Sequence, residues 1–532
     1  MAHMFKTPGH LAQPSRRAIL AGLAGAAGMA ATGLPPIRAV QAQEAESLYS
    51  RLVTKAAGRA GRAYEPPADT LPDSLRGLSY DEYRHIRFRK DMALWQGEAP
   101  FSVQLLHLGG YLRTPVRAYT VENGRETPFN YRPSLFDFSQ ADVDPSGFDA
   151  LGFSGLRVHY PLNDPAVMDE VMVIQGASYF RALCAGAVYG LSARGVAVNT
   201  AHSEGEEFPA FVELYVVRPT PGAQSIVMYG LLDGPSLAGA YRFEVTPGTT
   251  TRTSVGARLF ARRPVAQLGV GALTSMFDFG PADRVGVDDF RPRVHDSQGL
   301  CMRTQNGERL WRPLCNPGQV EMNVFSQANP VGFGLMQRVR QFDRYQDLET
   351  MYHRRPSAWV TPRGNWGEGE VILVEIPTPD ETNDNIVAFW KPAVPFEPGL
   401  PLALDYDIDW TLDGPATEVA WILETRAGHY GVPGAPLDDG IRRRGRKWVI
   451  EFVEGPLRGL NSPDDVTVVA SADAGRIDTR AHVINPQTGG LRVYLDTVAE
   501  GDAPINLRCH LERENTPVSE TWTMQWRPPA VA

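Results

Sequence analysis

The chain has 532 residues, with 52 Lys and Arg against 61 Asp and Glu, for a formal net charge of −9. An acidic chain without a dominant basic stripe argues against nucleic acid or anionic lipid as ligand. With 43 Pro and 51 Gly spread evenly, the composition excludes a disordered chain and fits a turn-dense β protein.

In chain order, the first segment reads as an export signal. Ser15-Arg16-Arg17-Ala18-Ile19-Leu20 is a twin-arginine pattern, the stretch from Ala18 to Leu34 is apolar and rich in Gly and Ala, and Val40-Gln41-Ala42 offers a small-residue cleavage site. The apolar stretch is too short for a spanning helix, so the expectation is periplasmic location by the twin-arginine route without stable membrane insertion. Residues 1–42 carry Lys6, Arg16, Arg17 and Arg38 and no acids, so removing these four cations takes the net charge from −9 to −13. The remaining residues are too many for one core and indicate two or more domains.

Ala45 to Arg62 reads as a short helix followed by a Pro-rich connection. Beyond it come short alternating strands, among them Phe101–Leu106, Ser225–Leu232, Arg242–Val245 and Val371–Ile376, separated by Gly, Pro, Asn and Asp turns. Helical pieces are few beyond it, the better ones being Asp81–Phe88 and Tyr345–His353. The run from Lys391 to Pro401 holds four prolines and is read as a linker between domains at 43–390 and 402–532. After it, LALDYDIDW, EVAWIL, KWVIEFV, DVTVVAS, IDTRAHVI, LRVYLDTV and INLRCHLE give about seven strands, the number in an immunoglobulin-like sandwich. The fold class is therefore all-β, a large N-terminal sandwich followed by a smaller one. Cys184, Cys301, Cys315 and Cys509 fit no zinc spacing; the periplasm permits disulfides and Cys301 with Cys315 could close a short loop, but a twin-arginine substrate folds in a reducing compartment before export, which favours free thiols. No metal or cofactor is expected, because no P-loop, Rossmann fingerprint or HExxH is present.

The acids that could carry chemistry cluster between Asp289 and Asn385. In PTPDETNDNIVAFW, Asp380, Glu381 and Asp384 precede Phe389 and Trp390. Carboxylates exchange protons with sugar oxygens and aromatic faces stack on pyranose rings, whereas the plainer reading is an Asx-rich turn before a buried strand. RPRVHDSQGL places His295, Asp296 and Ser297 in sequence; strand neighbours point to opposite faces, so the run does not make a serine triad. NGERLWRPLCNP offers Trp311 and Arg312, and PSAWVTPRGNWGEGEV offers Trp359 and Trp366. As saccharide platforms these tryptophans, with Trp390, compete with a packing role.

Those segments, together with GLSARG, GEEFP and LLDGPSLAGAYRF, closely resemble the periplasmic glucan biosynthesis protein G/D family, glycoside hydrolase family 186, from about Tyr49 to the C-terminus. The twin-arginine signal is more similar to the D branch. The resemblance implies a galactose-mutarotase-like β-sandwich joined to an immunoglobulin-like domain, and a role in making osmoregulated periplasmic glucans with linear β-1,2-glucan as substrate. D-type members are anomer-inverting endo-β-1,2-glucanases; related members transfer the chain to a sugar hydroxyl, which within one chain would give a cyclic product. A non-catalytic glucan-binding scaffold is the alternative from another class. The family's general acid falls on Asp384 and its general base on Asp296. Glu381, Tyr352 and Ser297 are the candidates to line a proton relay through substrate hydroxyl and water. Inverting chemistry leaves room for the nucleophile between two carboxyls. The acid needs burial or a neighbouring anion to stay protonated, and Glu381 is the expected source of that charge, unless it is a solvated turn residue. The basic run Arg442 to Lys447 is either a solvated loop or one that closes over a glucan, from its own subunit or from a partner's in a homodimer.

Overall fold

The computed structural model describes residues 37–149, 151–431, 434 and 438–528; the twin-arginine run lies outside them. Expected strands form wherever alternation is strong. Ser102–Leu106, Ile226–Asp233, Leu237–Thr246 and Gly369–Glu375 cover the four first named, each with an apolar face turned inward. The chain is all-β, with one long helix, Ile37–Ala60, whose Leu48, Leu52 and Ala56 pack on Tyr229, Leu231 and Ala240. No described helix is long and apolar enough to cross a membrane.

Two sheets build the first sandwich. One runs in the order Ser102–Leu106, Gly155–Tyr160, Asp169–Gln175, Tyr179–Ala182, Ser192–Arg194, Leu268–Ser275, Ile386–Pro392, Gly369–Glu375, Glu321–Gln327. The other carries the long hairpins around Thr250–Ala261. Phe180, Phe211, Phe243, Leu273, Trp390 and Trp410 meet in the core between them.

Two expectations are corrected. The Pro-rich run Lys391–Pro401 does not join two domains. Leu402–Thr411 pairs with both Thr250–Ala261 and Ser357–Arg363, and Leu404, Tyr406, Ile408 and Trp410 lie in the first core. The chain crosses over between Leu412 and Glu418, and the second core begins at Ala420. Apart from the two-residue Thr516–Pro517, seven strands among the described residues still make the second sandwich, because Thr521–Trp526, unread in the sequence, replaces Leu402–Thr411. The two bodies share a sheet: Arg309–Pro313 pairs in parallel with Thr521–Trp526, and Cys301, Trp311 and Met336 belong to the second core.

Second, Tyr345–His353 is not a helix. Two single 3₁₀ turns, Phe342–Arg344 and Tyr352–Arg354, flank an irregular stretch with positive φ at Gln346 (59°) and Met351 (48°). The Asp347 carboxylate accepts from the backbone N–H of Glu349 and Thr350, which supplies the partners a helix would have supplied. Asp81–Phe88 likewise shrinks to one turn, Tyr80–Tyr83, capped by Ser79 and Glu82. All four cysteines are free.

Candidate active site

Four neighbouring strands of the first sheet end on the same side. Ser192 pairs with Thr274 and Ile386 with Ser275, while Phe180 pairs with Ala193. Arg181, Gly190, Met276 and Asp384 therefore come together from positions some 200 residues apart, and with Asp296 they line a cleft of about 430 Å³. A second, larger groove of about 590 Å³ continues from it and shares Arg181 and Asp384. Its floor is one face of three adjacent strands, supplied by alternate residues: Gly155 and Arg157, Val173 and Gln175, Tyr179 and Arg181. Tyr80 and Tyr111, 63% and 73% exposed, stand on its rim.

Asp296 is the most constrained acid in the cleft. Val294–His295 pairs with Phe277–Phe279, and strand alternation then separates three successive side chains. His295 stacks on Phe277 inside the core, with centroids 5.3 Å apart. Ser297 accepts a hydrogen bond from Ser275, 2.8 Å away, or donates one to it, and does not line the cleft. Asp296 alone faces the cleft, 3% exposed, with its carboxylate held by the Arg355 guanidinium. Burial pushes this carboxyl up to about 6, the Arg355 cation opposes that, and the Asp384 charge adds to it. The two acids thus feel one another across the cleft.

Asp384 ends the loop 377–385, and its side chain is 35% exposed, with Arg181 3.9 Å away. The expected service of Glu381 to Asp384 is not what the geometry gives. Glu381 accepts from Arg291 at 2.7 Å and from the Tyr352 hydroxyl at 2.8 Å, so its charge is already compensated. Arg291 also binds Asp289 and Asp347, which ties the loop of Asp384 to the segment of Tyr352. Burial would raise Asp347, but hydrogen bonds from Thr350 and Arg291 win and hold it at about 2. Tyr352 lines the cleft beneath Arg355, which lies 4.5 Å over its ring.

None of the five side chains expected to bind substrate lines the groove or the cleft. Trp390 and Trp311 are fully buried, one in each core. Trp366 meets Tyr406 edge-on, Trp359 packs against the second core, and Arg312 pairs with Glu375 in the interior at 2.9 Å. A large apolar ring gains more from burial than from exposure, and these strands had cores to fill. Sequence reading missed Arg181, Arg355, Arg291, Tyr111 and Tyr179. The signals were faint: a Tyr after a Gly pair at 109–110, and a polar alternation at Tyr179 and Arg181. Among the described residues no group of His, Cys, Asp or Glu is placed to hold a metal ion.

Gly190, in GLSARG, exposes how tightly the surroundings of Asp296 are packed. A Cβ there would sit 2.8 Å from Cδ of Arg355 and 2.9 Å from its Cβ. Gly190→Ala is expected to shift the partner of Asp296 and lower kcat about 10²-fold with an unchanged circular-dichroism spectrum.

Fold and cleft define a class, a tandem β-sandwich protein whose first sandwich carries an open groove that continues into a cleft with two interacting carboxyls. Comparison with known proteins gives the family. Residues 48–526 match the model of the periplasmic glucan biosynthesis protein, MdoG. Glucans biosynthesis protein G of Ralstonia nicotianae is 44% identical over 89% of this chain and 94% of its own length. Probable glucans biosynthesis protein D of Shewanella oneidensis is 42% identical over 90% of this chain and 89% of its own. The chain belongs to the periplasmic glucan biosynthesis protein family. G-named and D-named relatives match it almost equally well.

Proposed function

We propose that this protein is an anomer-inverting enzyme of the periplasm, exported by the twin-arginine route, that cleaves linear β-1,2-glucan internally. Asp384 acts as the acid and Asp296 as the base. The observation that carries the reading is the meeting of these two carboxyls in one cleft that continues into an open groove of about 590 Å³. The glucan lies along the strand face of Tyr179 and Arg181, with the rings of Tyr80 and Tyr111 at the rim. At the end of the groove, Asp384 gives its proton to the departing glycosidic oxygen. A pyranose seated over it excludes the water that would otherwise take that proton. Asp296 draws the proton from the nucleophile on the other face of the ring. Tyr352 and Glu381 line the path between them; Arg291 holds Glu381, which accepts from the Tyr352 hydroxyl.

Two measurements test this. Asp384→Asn is expected to lose turnover by about 10³-fold while glucan affinity changes no more than a few-fold. Loss of both together would make Asp384 structural. Mass spectrometry of products from linear β-1,2-glucan decides the acceptor. Saccharides each one water above a multiple of anhydroglucose mean hydrolysis or transfer between linear chains. A ladder lacking that water means ring closure, and no change in the glucan favours a scaffold. With Asp296 titrating at about 6, kcat/KM should fall tenfold per pH unit below about 6, because the base must be ionised. A profile flat down to pH 4.5 would remove Asp296 from that role.

A further inference from the structure

The floor of the groove carries on across one more strand. Tyr179 pairs with Arg194, so alternation puts both side chains on the same face of the sheet. Arg194 is 5% exposed, and its guanidinium lies 4.8 Å from the centroid of the Tyr179 ring and 5.6 Å from that of Phe208. Phe208 itself is 52% exposed. Tyr179 lines the groove, and so do Ala210 and Phe211, just beyond Phe208 in the chain. Burial raises the Tyr179 hydroxyl; the Arg194 cation opposes that, and the charges of Asp384 and Glu206 add to it. Asp384 and the turn of Phe208 therefore stand within charge range of one ring.

Phe208 is held at the surface from both sides. Arg194 donates to Thr274 Oγ1 at 2.7 Å and to Glu206 at 2.6 Å, and Glu206 also accepts from the Thr200 hydroxyl. Glu207 accepts from the backbone N–H and the hydroxyl of Ser236, and Pro209 is buried. GLSARG, GEEFP and LLDGPSLAGAYRF, which supply Arg194, the two acids and Ser236, thus meet around one ring. A phenyl ring this open forgoes much of what its burial would contribute, and the bonds on either side keep it from folding back into a core. A flat apolar face beside a polar groove suits a pyranose, whose C–H face is apolar and whose rim carries hydroxyls.

We propose that Phe208 is a saccharide platform of the groove, carried on Arg194, in the part that the tryptophans were expected to play. The proposal rests on the reading of the groove as a glucan site. A sugar ring placed on Phe208 prolongs the bound chain from the strand face of Tyr179 and Arg181 onto the turn of GEEFP. The plainer role for the ring is a cover that keeps water from Arg194. The two roles ask for different side chains. Leucine is apolar and close to phenylalanine in bulk, so it serves as a cover, whereas a stacked sugar requires a flat ring.

Isothermal titration calorimetry on the full chain carrying Asp384→Asn, with a linear β-1,2-linked glucose pentamer as probe, decides between them. Adding Phe208→Leu is expected to raise Kd about tenfold, and adding Phe208→Tyr to leave it within about twofold. Phe208→Met repeats the aliphatic arm, so a folding failure of the leucine variant leaves the comparison intact. Equal affinity in all variants makes the ring a cover and overturns the platform, and so does an equal loss in the leucine and tyrosine variants. Either result leaves the proposed function standing. No binding by Asp384→Asn itself overturns the reading of the groove, and the platform with it.

Discussion

Asp296→Asn is expected to abolish turnover by about 10³-fold or more and, at the same time, to make the protein more stable at neutral pH. The sign follows from burial. The folded-state value is about 6, against roughly 3.9 for an Asp in an unfolded chain. The folded state therefore binds this proton more tightly than the unfolded state. Its contribution is favourable below about pH 4 and is lost as pH rises through about 6. About two pH units correspond to about 3 kcal/mol of penalty at pH 7.5, the upper limit of what the amide should recover. Arg355 lies 4.5 Å over the Tyr352 ring, a contact that does not depend on Asp296 and is expected to compensate part of the lost pairing. Urea unfolding of wild type and variant at pH 4.5 and 7.5 checks this. The stability gap should narrow to about a third at the lower pH, where the unfolded-state Asp is still largely ionised. If Asp296 instead holds the fold through Arg355, the amide will be less stable than wild type at both values.

That pairing of lost activity with gained stability marks where the sequence was legible and where it was not. Alternation exposed the strands, because a half-buried strand must place apolar side chains at every second position. Asp384 and Asp296 stood out in acid-bearing runs, but their roles were reached only through the resemblance to a known family, and nothing in their spacing shows that they meet. Their meeting depends on strand order. Tyr179–Ala182, Ser192–Arg194, Leu268–Ser275 and Ile386–Pro392 are adjacent in the sheet but scattered over the chain. The tryptophans misled for a related reason. Trp311, Trp359, Trp366 and Trp390 lie near the acids in sequence, but a strand that carries one residue into a cleft carries its neighbour into a core. Leu402–Thr411 was placed in the wrong body because prolines before it read as a linker. Its partners, Thr250–Ala261 and Ser357–Arg363, could be found only in the folded sheet.

The same dependence on distant partners fixes the largest stability effect. Arg293 and Glu424 form a two-point pair at 3.0 and 2.8 Å, with side chains 2% and 3% exposed, across the junction between the sandwiches. Arg426 also reaches Glu424, at 3.1 Å. Glu424→Gln removes the charge that two buried or half-buried guanidiniums share, and is expected to cost about 3–5 kcal/mol. Arg293→Met combined with Glu424→Leu should recover most of that loss, since the desolvation of both ions is then no longer required. The double variant separates stability from positioning. Arg293 also donates to the carbonyl of Arg344 and lies 5.4 Å over the ring of Tyr345, which packs with Tyr352 behind the cleft. Leu423, from the second sandwich, packs against that same cluster. Recovered stability with kcat still reduced would mean that the second sandwich sets the position of Tyr352. Recovery of both would reduce the pair to a fastening, and no loss in Glu424→Gln would show that the junction closes without it.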